Sequence, residues 1–181
     1  YEKAARSLDK EPGNERALRA MTAAATALVD QRKSEIRSLA ASDTVAAAWR
    51  VLNLEEFRDE LSRYHAGVPA DIDFDRKQRE IREGAAGILY RRARADLSTG
   101  FPKRAHDQLE DVGQFVPGYK DAATRMRQAY DEARPRIALL PFANQTDIPG
   151  LSKELTDQGY AKLSRQVSAA EYVLNPFERA I

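Results

Sequence analysis

The chain has 181 residues, 43% of them hydrophobic and 31% charged, with 29 Lys+Arg against 28 Asp+Glu. A net charge of +1 supplies no global field that would draw it to nucleic acid or to an anionic membrane surface. Without Cys, these residues build no disulfide, thiolate metal site, cysteine nucleophile or iron–sulfur cluster. The length suffices for one or two domains with a real core, and no apolar run approaches the ~20 residues of a membrane-spanning helix. The first residue is Tyr1 rather than Met, which reads as a fragment or mature form; a signal peptide or lipid-bearing N-terminus would lie upstream.

Residues 1–133 read as helix after helix. Tyr1 to Lys10 is a short helix stopped by Glu11-Pro12-Gly13, and Asn14 is placed to cap the next. That helix runs from about Glu15 to Ala40, with Leu18, Met21, Ala25 and Leu28 recurring every three or four residues as one apolar stripe. Ser42 or Asp43 caps a short helix through Trp49 and Leu52. Asn53-Leu54-Glu55-Glu56 then has capping-box character and opens another, carrying Phe57, Leu61 and Tyr64 and ending at Ala66-Gly67-Val68-Pro69. A longer helix spans about Asp73 to Ser98 and is broken by Thr99-Gly100-Phe101-Pro102. Helices over 103–115 and 119–133 follow, separated by Val116-Pro117-Gly118. Turns this short favour antiparallel hairpins.

The composition changes near residue 134, and four of the eight prolines lie beyond it. The expected boundary is about Ala133–Arg136, giving a helical domain over 1–133 and a partial α/β domain over 134–181. Arg136 to Phe142 reads as a buried strand, Leu151 to Val167 as a helix burying Leu151, Leu155, Leu163 and Val167, and Glu171 to Leu174 as a second strand. A helix start at Phe177 to Ile181 completes the order β-α-β-α, which favours parallel strands. A segment this short cannot bury both faces of a sheet unaided. The fold class expected is mainly α: antiparallel helical hairpins in a repeat-like solenoid, then the β-α-β start of an incomplete α/β domain.

Pro12-Gly13-Asn14-Glu15-Arg16-Ala17 and Pro117-Gly118-Tyr119-Lys120-Asp121-Ala122 share the pattern Pro-Gly-x-x-x-Ala, each between two helices. The segment 86–119 resembles a tetratricopeptide repeat, a 34-residue helix–turn–helix unit. Ala93 and Ala105 stand at its small crossing positions, Gly100 in the turn, Leu109 at a large core position and Pro117 at the terminating proline. Arg92 and Asp96 depart from the pattern, and the prolines are not spaced at 34 residues. The resemblance implies protein binding on a helical surface, with Tyr90, Arg94 and Leu97 as groove candidates. The strand Ile137-Ala138-Leu139-Leu140-Pro141-Phe142, the polar turn Asn144 to Thr146 and the Leu-patterned helix after it resemble the opening of the α/β domain in the curli-secretion channel lipoprotein family. That likeness implies a bacterial cell-envelope assembly or secretion factor; the channel family's membrane-spanning hairpins are not seen here.

Reactive constellations are sparse. Asp71-x-Asp73-x-Asp75 resembles the start of a calcium loop, but Arg82 stands where the loop wants its closing Glu, so acids at a helix start are the better reading. His65 and His106 are the only histidines, and His106 with Glu110 makes two ligands rather than a zinc site. Gly84-x-x-Gly87 inside the long helix reads as a packing notch or kink. Arg76-Lys77-Gln78-Arg79 and Arg91-Arg92-Ala93-Arg94 are interleaved with acids, unlike a one-sided nucleic-acid patch.

The expectation is therefore a non-enzymatic protein-binding scaffold with no catalytic residue, no metal, no cofactor and no nucleic-acid partner. It is expected to be periplasmic or outer-membrane-associated, with room for an upstream lipid anchor and for self-association. A cytoplasmic adaptor is the alternative for location. The alternative for function is an accessory helical module of an enzyme whose site lies in the α/β part, near Phe142 to Asp147, at the strand ends of an open parallel sheet.

Overall fold

The computed structural model describes residues 1–139, 145, 147–166 and 173–176. The described part is mainly helical. In chain order it contains α1 (Glu2–Lys10), α2 (Glu15–Ser42), α3 (Thr44–Arg63), α4 (Ile72–Ser98), α5 (Pro102–Phe115), α6 (Ala122–Ala133), β1 (Arg136–Leu139), α7 (Leu151–Gln166) and β2 (Val173–Pro176). Two compact units divide the chain, Tyr1–Arg127 and Gln128–Ile181. The division falls inside α6, ahead of the composition change.

In the first unit the caps follow local chemistry. The Asn14 side chain accepts the Ala17 N–H, Asp43 accepts from Val45 and Ala46, and Asp71 accepts from Phe74. Each satisfies backbone donors that the first helical turn leaves open. Pro102 occupies the first turn of α5, where its missing N–H costs nothing. The expected break at Asn53 does not occur. No Gly or Pro lies between Asp43 and Ala66, and Val51, Leu54, Phe57 and Leu61 continue one buried stripe through it, so α3 is a single helix. Asn53 sits mid-helix and exposed.

Of the two long helices, α2 buries one narrow stripe, whereas α4 buries a broader face from Ala85 onward, with Ala86, Gly87, Leu89, Tyr90 and Ala93. On α2 the buried positions are Ala17, Met21, Ala25, Val29, Lys33 and Ile36, mostly four residues apart, while Leu18 and Leu28 only flank that line. The sequence pattern thus found the middle of the stripe, Met21 and Ala25, and missed its flanks, where Ala17 and Val29 are buried in place of Leu18 and Leu28. Each helix packs on its sequence neighbour: α1 on α2, α2 on α3, α3 on α4, α4 on α5. Ala93 and Ala105 are fully buried, as a close approach of α4 and α5 requires. Gly84 and Gly87 are packing notches. A methyl group at Gly84 would sit 3.3 Å from the Thr44 methyl of α3, and one at Gly87 would sit 3.3 Å from the Tyr119 hydroxyl.

Helix α3 ends in a Schellman motif. The Ala66 N–H reaches back to the Leu61 carbonyl at 3.2 Å and the His65 N–H to the Ser62 carbonyl at 3.0 Å. The motif puts His65 at φ 55°, a left-handed conformation that costs a residue with a Cβ. His65→Gly is therefore expected to stabilise the protein by about 0.5–1 kcal/mol, after allowing for the greater freedom of glycine in the unfolded chain. The urea midpoint checks it; an unchanged or lowered midpoint would contradict the strain. At the end of α4 the same motif uses Gly100, at φ 80°, with the Phe101 N–H on the Asp96 carbonyl at 2.9 Å.

In the second unit β1 and β2 pair in parallel, Arg136 opposite Val173 and Leu139 opposite Pro176. Residues 140–142 and 171–172 of the expected strands, Asn144 and Thr146 of the polar turn, Val167, and the helix start at 177–181 lie outside the described residues. The expected buried face of α7 is not found. No described residue of α7 is buried, and Leu155 is 42% exposed.

Candidate functional site

The groove candidates Tyr90, Arg94 and Leu97 all lie on the second half of α4, in different surroundings. Arg94 is exposed and Leu97 half-buried, but Tyr90 is only 6% exposed. The Tyr90 ring packs edge-on against Tyr119 at 5.7 Å, its hydroxyl donates to the Asp121 carboxylate, and the Arg125 Nε donates back to it at 3.2 Å. The Lys120 ammonium lies 5.1 Å from the centres of both rings. Tyr90 is thus a tether for the 119–125 segment rather than an open contact for a partner, which corrects its place among the groove residues. The hydrogen bond from Tyr90 holds the Asp121 carboxyl below the usual carboxylate range, with Arg125 adding to the effect. Tyr90→Phe keeps the ring and removes the hydroxyl. It is expected to cost about 1 kcal/mol in thermal or urea unfolding; no loss at all would mean that the hydroxyl contributes nothing to the tether.

The aspartates of 71–75 do not converge on a common point. Asp71 takes the Lys33 ammonium at 2.9 Å, Asp75 takes Arg58 at 3.2 Å, and Asp73 faces solvent beside Arg76. Among the described residues no group of three or more His, Asp or Glu side chains is placed to hold a metal ion. None of the described helices is long and apolar enough to cross a membrane.

Ion pairs instead stitch neighbouring elements. Lys33 of α2 reaches the cap of α4, and Arg58 of α3 reaches Asp75 of α4. Arg82 of α4 binds both oxygens of Glu55 of α3, at 3.0 and 3.1 Å, and also donates through Nε to the Phe115 carbonyl at the end of α5, at 2.7 Å. Asp96, near the end of α4, receives Arg104 and Gln108 of α5.

A polar cleft of about 410 Å³ lies between α2 and α3. Arg32, Glu35 and Ile36 line it from α2; Arg50, Asn53, Glu56, Phe57 and Glu60 line it from α3. The Arg32 guanidinium stacks 4.1 Å from the centre of the Phe57 ring, whose flank also meets the Tyr1 ring at 5.4 Å. The Tyr1 hydroxyl donates to Glu60 at 2.8 Å; partial burial, then this bond to a carboxylate, push its pKa up to about 12. Sequence reading missed this cleft because Asn53 to Glu56 passed for a cap. The available signal was the lack of any helix breaker between residues 43 and 66, which puts Arg50, Asn53, Glu56 and Glu60 on one continuous face.

No protein-family model, curated protein or solved structure matches this chain.

Proposed function

We propose that the chain is a non-enzymatic scaffold that binds another protein along its stacked helices, in the assembly or secretion machinery of a bacterial cell envelope. The observation that carries the scaffold reading is the sequential packing of α1 through α5, each on its chain neighbour, with ion pairs between neighbours instead of a shared reactive pocket. Buried alanines at the α4–α5 crossing are what a tetratricopeptide-like hairpin needs, and they support that resemblance on physical grounds. The envelope location and the likeness to the curli-secretion channel family rest on the motif over 137–146. The parallel pair β1–β2, flanking α7 in sequence, supports reading the second unit as the opening of an α/β domain. The same pair favours the second reading, an accessory helical module of an enzyme, because open parallel sheets place active sites at their strand ends.

With Tyr90 buried, Arg94 and Leu97 are the groove positions to test. A photo-crosslinking amino acid placed at each, in cells producing the full chain, is expected to give discrete adducts that identify the same protein from both positions. The exposed Arg16 and Arg19 on α2 are the controls. Adducts absent from 94 and 97, or identical to those from the controls, would overturn the groove. Fractionation of the same cells tests the envelope location.

A further inference from the structure

We propose that the cleft between α2 and α3 docks a partner helix that carries an acidic and a basic side chain about two turns apart. This rests on the scaffold reading and adds a second surface to it. Arg50, Asn53, Glu56 and Glu60 follow one another at steps of three and four along α3, so the wall changes from cationic at one end to anionic at the other. Two of the five charged lining groups are already committed: Glu60 accepts the Tyr1 hydroxyl and Glu35 accepts the Gln31 amide at 2.9 Å. Arg32 is stacked on Phe57. Arg50 and Glu56 have no hydrogen-bond or ion-pair partner among the described residues. Arg58 on the same helix and Lys33 on the facing one are both paired.

The two uncommitted charges are six residues apart on one helix, about 9 Å along its axis. That exceeds the distance between the ammonium and carboxylate of a free amino acid. It matches the rise between positions i and i+7 of a second helix lying in the groove, about 10 Å. A guanidinium takes a carboxylate in a two-pronged hydrogen bond, so Arg50 would hold the partner's acid and Glu56 its base.

The test uses the full chain, isotopically labelled for NMR, and three alanine-based helical peptides with blocked ends. One carries Glu and, seven residues later, Lys; the second carries Glu at both positions; the third carries Lys at both. The mixed peptide is expected to shift the amide signals of residues 50–57 and to bind more tightly than either uniform peptide, and the advantage should vanish near about 1 M salt. Arg50→Glu and Glu56→Lys are each expected to weaken binding by about fivefold, the upper range for an exposed pair. The double exchange reverses the wall and should restore binding to within about twofold, because a helix can dock in either direction; a merely structural role would not show this recovery. All three variants change exposed side chains, and unchanged melting temperatures would show that the fold is kept. Equal binding of the three peptides, no shifts in the cleft, or single variants that bind as the parent does would each overturn the site. Crosslinks from residues 94 and 97 alongside a silent cleft would overturn this docking site alone, whereas silence at both would overturn the scaffold reading too.

Discussion

Phe115→Ala is expected to destabilise the first unit by about 3–5 kcal/mol, the usual loss when a buried aromatic ring is cut back to a methyl group. Phe115 is fully buried at the end of α5, and its ring meets Trp49 of α3 edge-on at 5.0 Å. The Arg82 bond goes to the main-chain carbonyl of residue 115, so it survives the substitution and the loss measures packing alone. Phe115→Leu should cost roughly 1–1.5 kcal/mol, since it keeps much of the volume. Trp49 is the only tryptophan in the chain, so its emission follows this junction directly in urea unfolding. A loss under about 1 kcal/mol for the alanine variant would mean that α3 and α5 do not meet through these rings.

Asp71→Ala is expected to lower the melting temperature by about 10 °C, because one carboxylate does two tasks. One oxygen accepts the Phe74 N–H at 3.0 Å and caps α4; the other takes the Lys33 ammonium at 2.9 Å. The Lys33 side chain is 7% exposed, and without Asp71 its only other carboxylate is that of Asp30, at 3.7 Å. Leaving a buried charge short of its counter-ion costs more than replacing it with an apolar side chain of similar length. Lys33→Met alone should therefore be milder than Asp71→Ala, and Lys33→Met combined with Asp71→Ala should melt above Asp71→Ala alone. A double variant that melts no higher than Asp71→Ala would mean that the two side chains are not coupled.

The same pair sets a pH dependence. The hydrogen bond from Lys33, then that from the Phe74 N–H, holds the Asp71 carboxyl below its usual range. A carboxylate depressed by folding takes up its proton less readily in the folded than in the unfolded chain. Its stabilisation is full above the ordinary value, about 3.9, and is lost as pH falls through the lower folded value. Asp96, bound by Arg104, and Asp121, bound by Tyr90, act in the same direction. Melting temperature should accordingly fall below about pH 4, and Lys33→Met should flatten that fall without removing it, since the other two carboxylates remain.

Much of the helical order was legible because caps and stops are local. Asn14, Asp43, Gly100 and Pro102 each act on backbone within a turn of themselves, and each occupies the place its chemistry predicts. The misreadings came from weighing a local signal without its surroundings. Asn53 has a cap's chemistry but lies on a helix whose buried stripe runs unbroken past it. What depends on distant residues was not readable at all. Lys33 and Asp71 are 38 residues apart, and Tyr90 is buried by a segment some thirty residues away, so nothing near either residue announces its partner. The cleft between α2 and α3 was hidden for the same reason.

Helix α4 is common property. Its first half is held to α3 through Asp75 and Arg58, its second half to α5 through Arg104 and Gln108, and Arg82 bonds both Glu55 of α3 and the end of α5. Neither flanking hairpin can come apart without exposing a side of this shared spine. The amides in its middle turns should then exchange with solvent only when the whole unit unfolds. A load applied to one neighbour would pass along a rigid rod to the other, as through an axle.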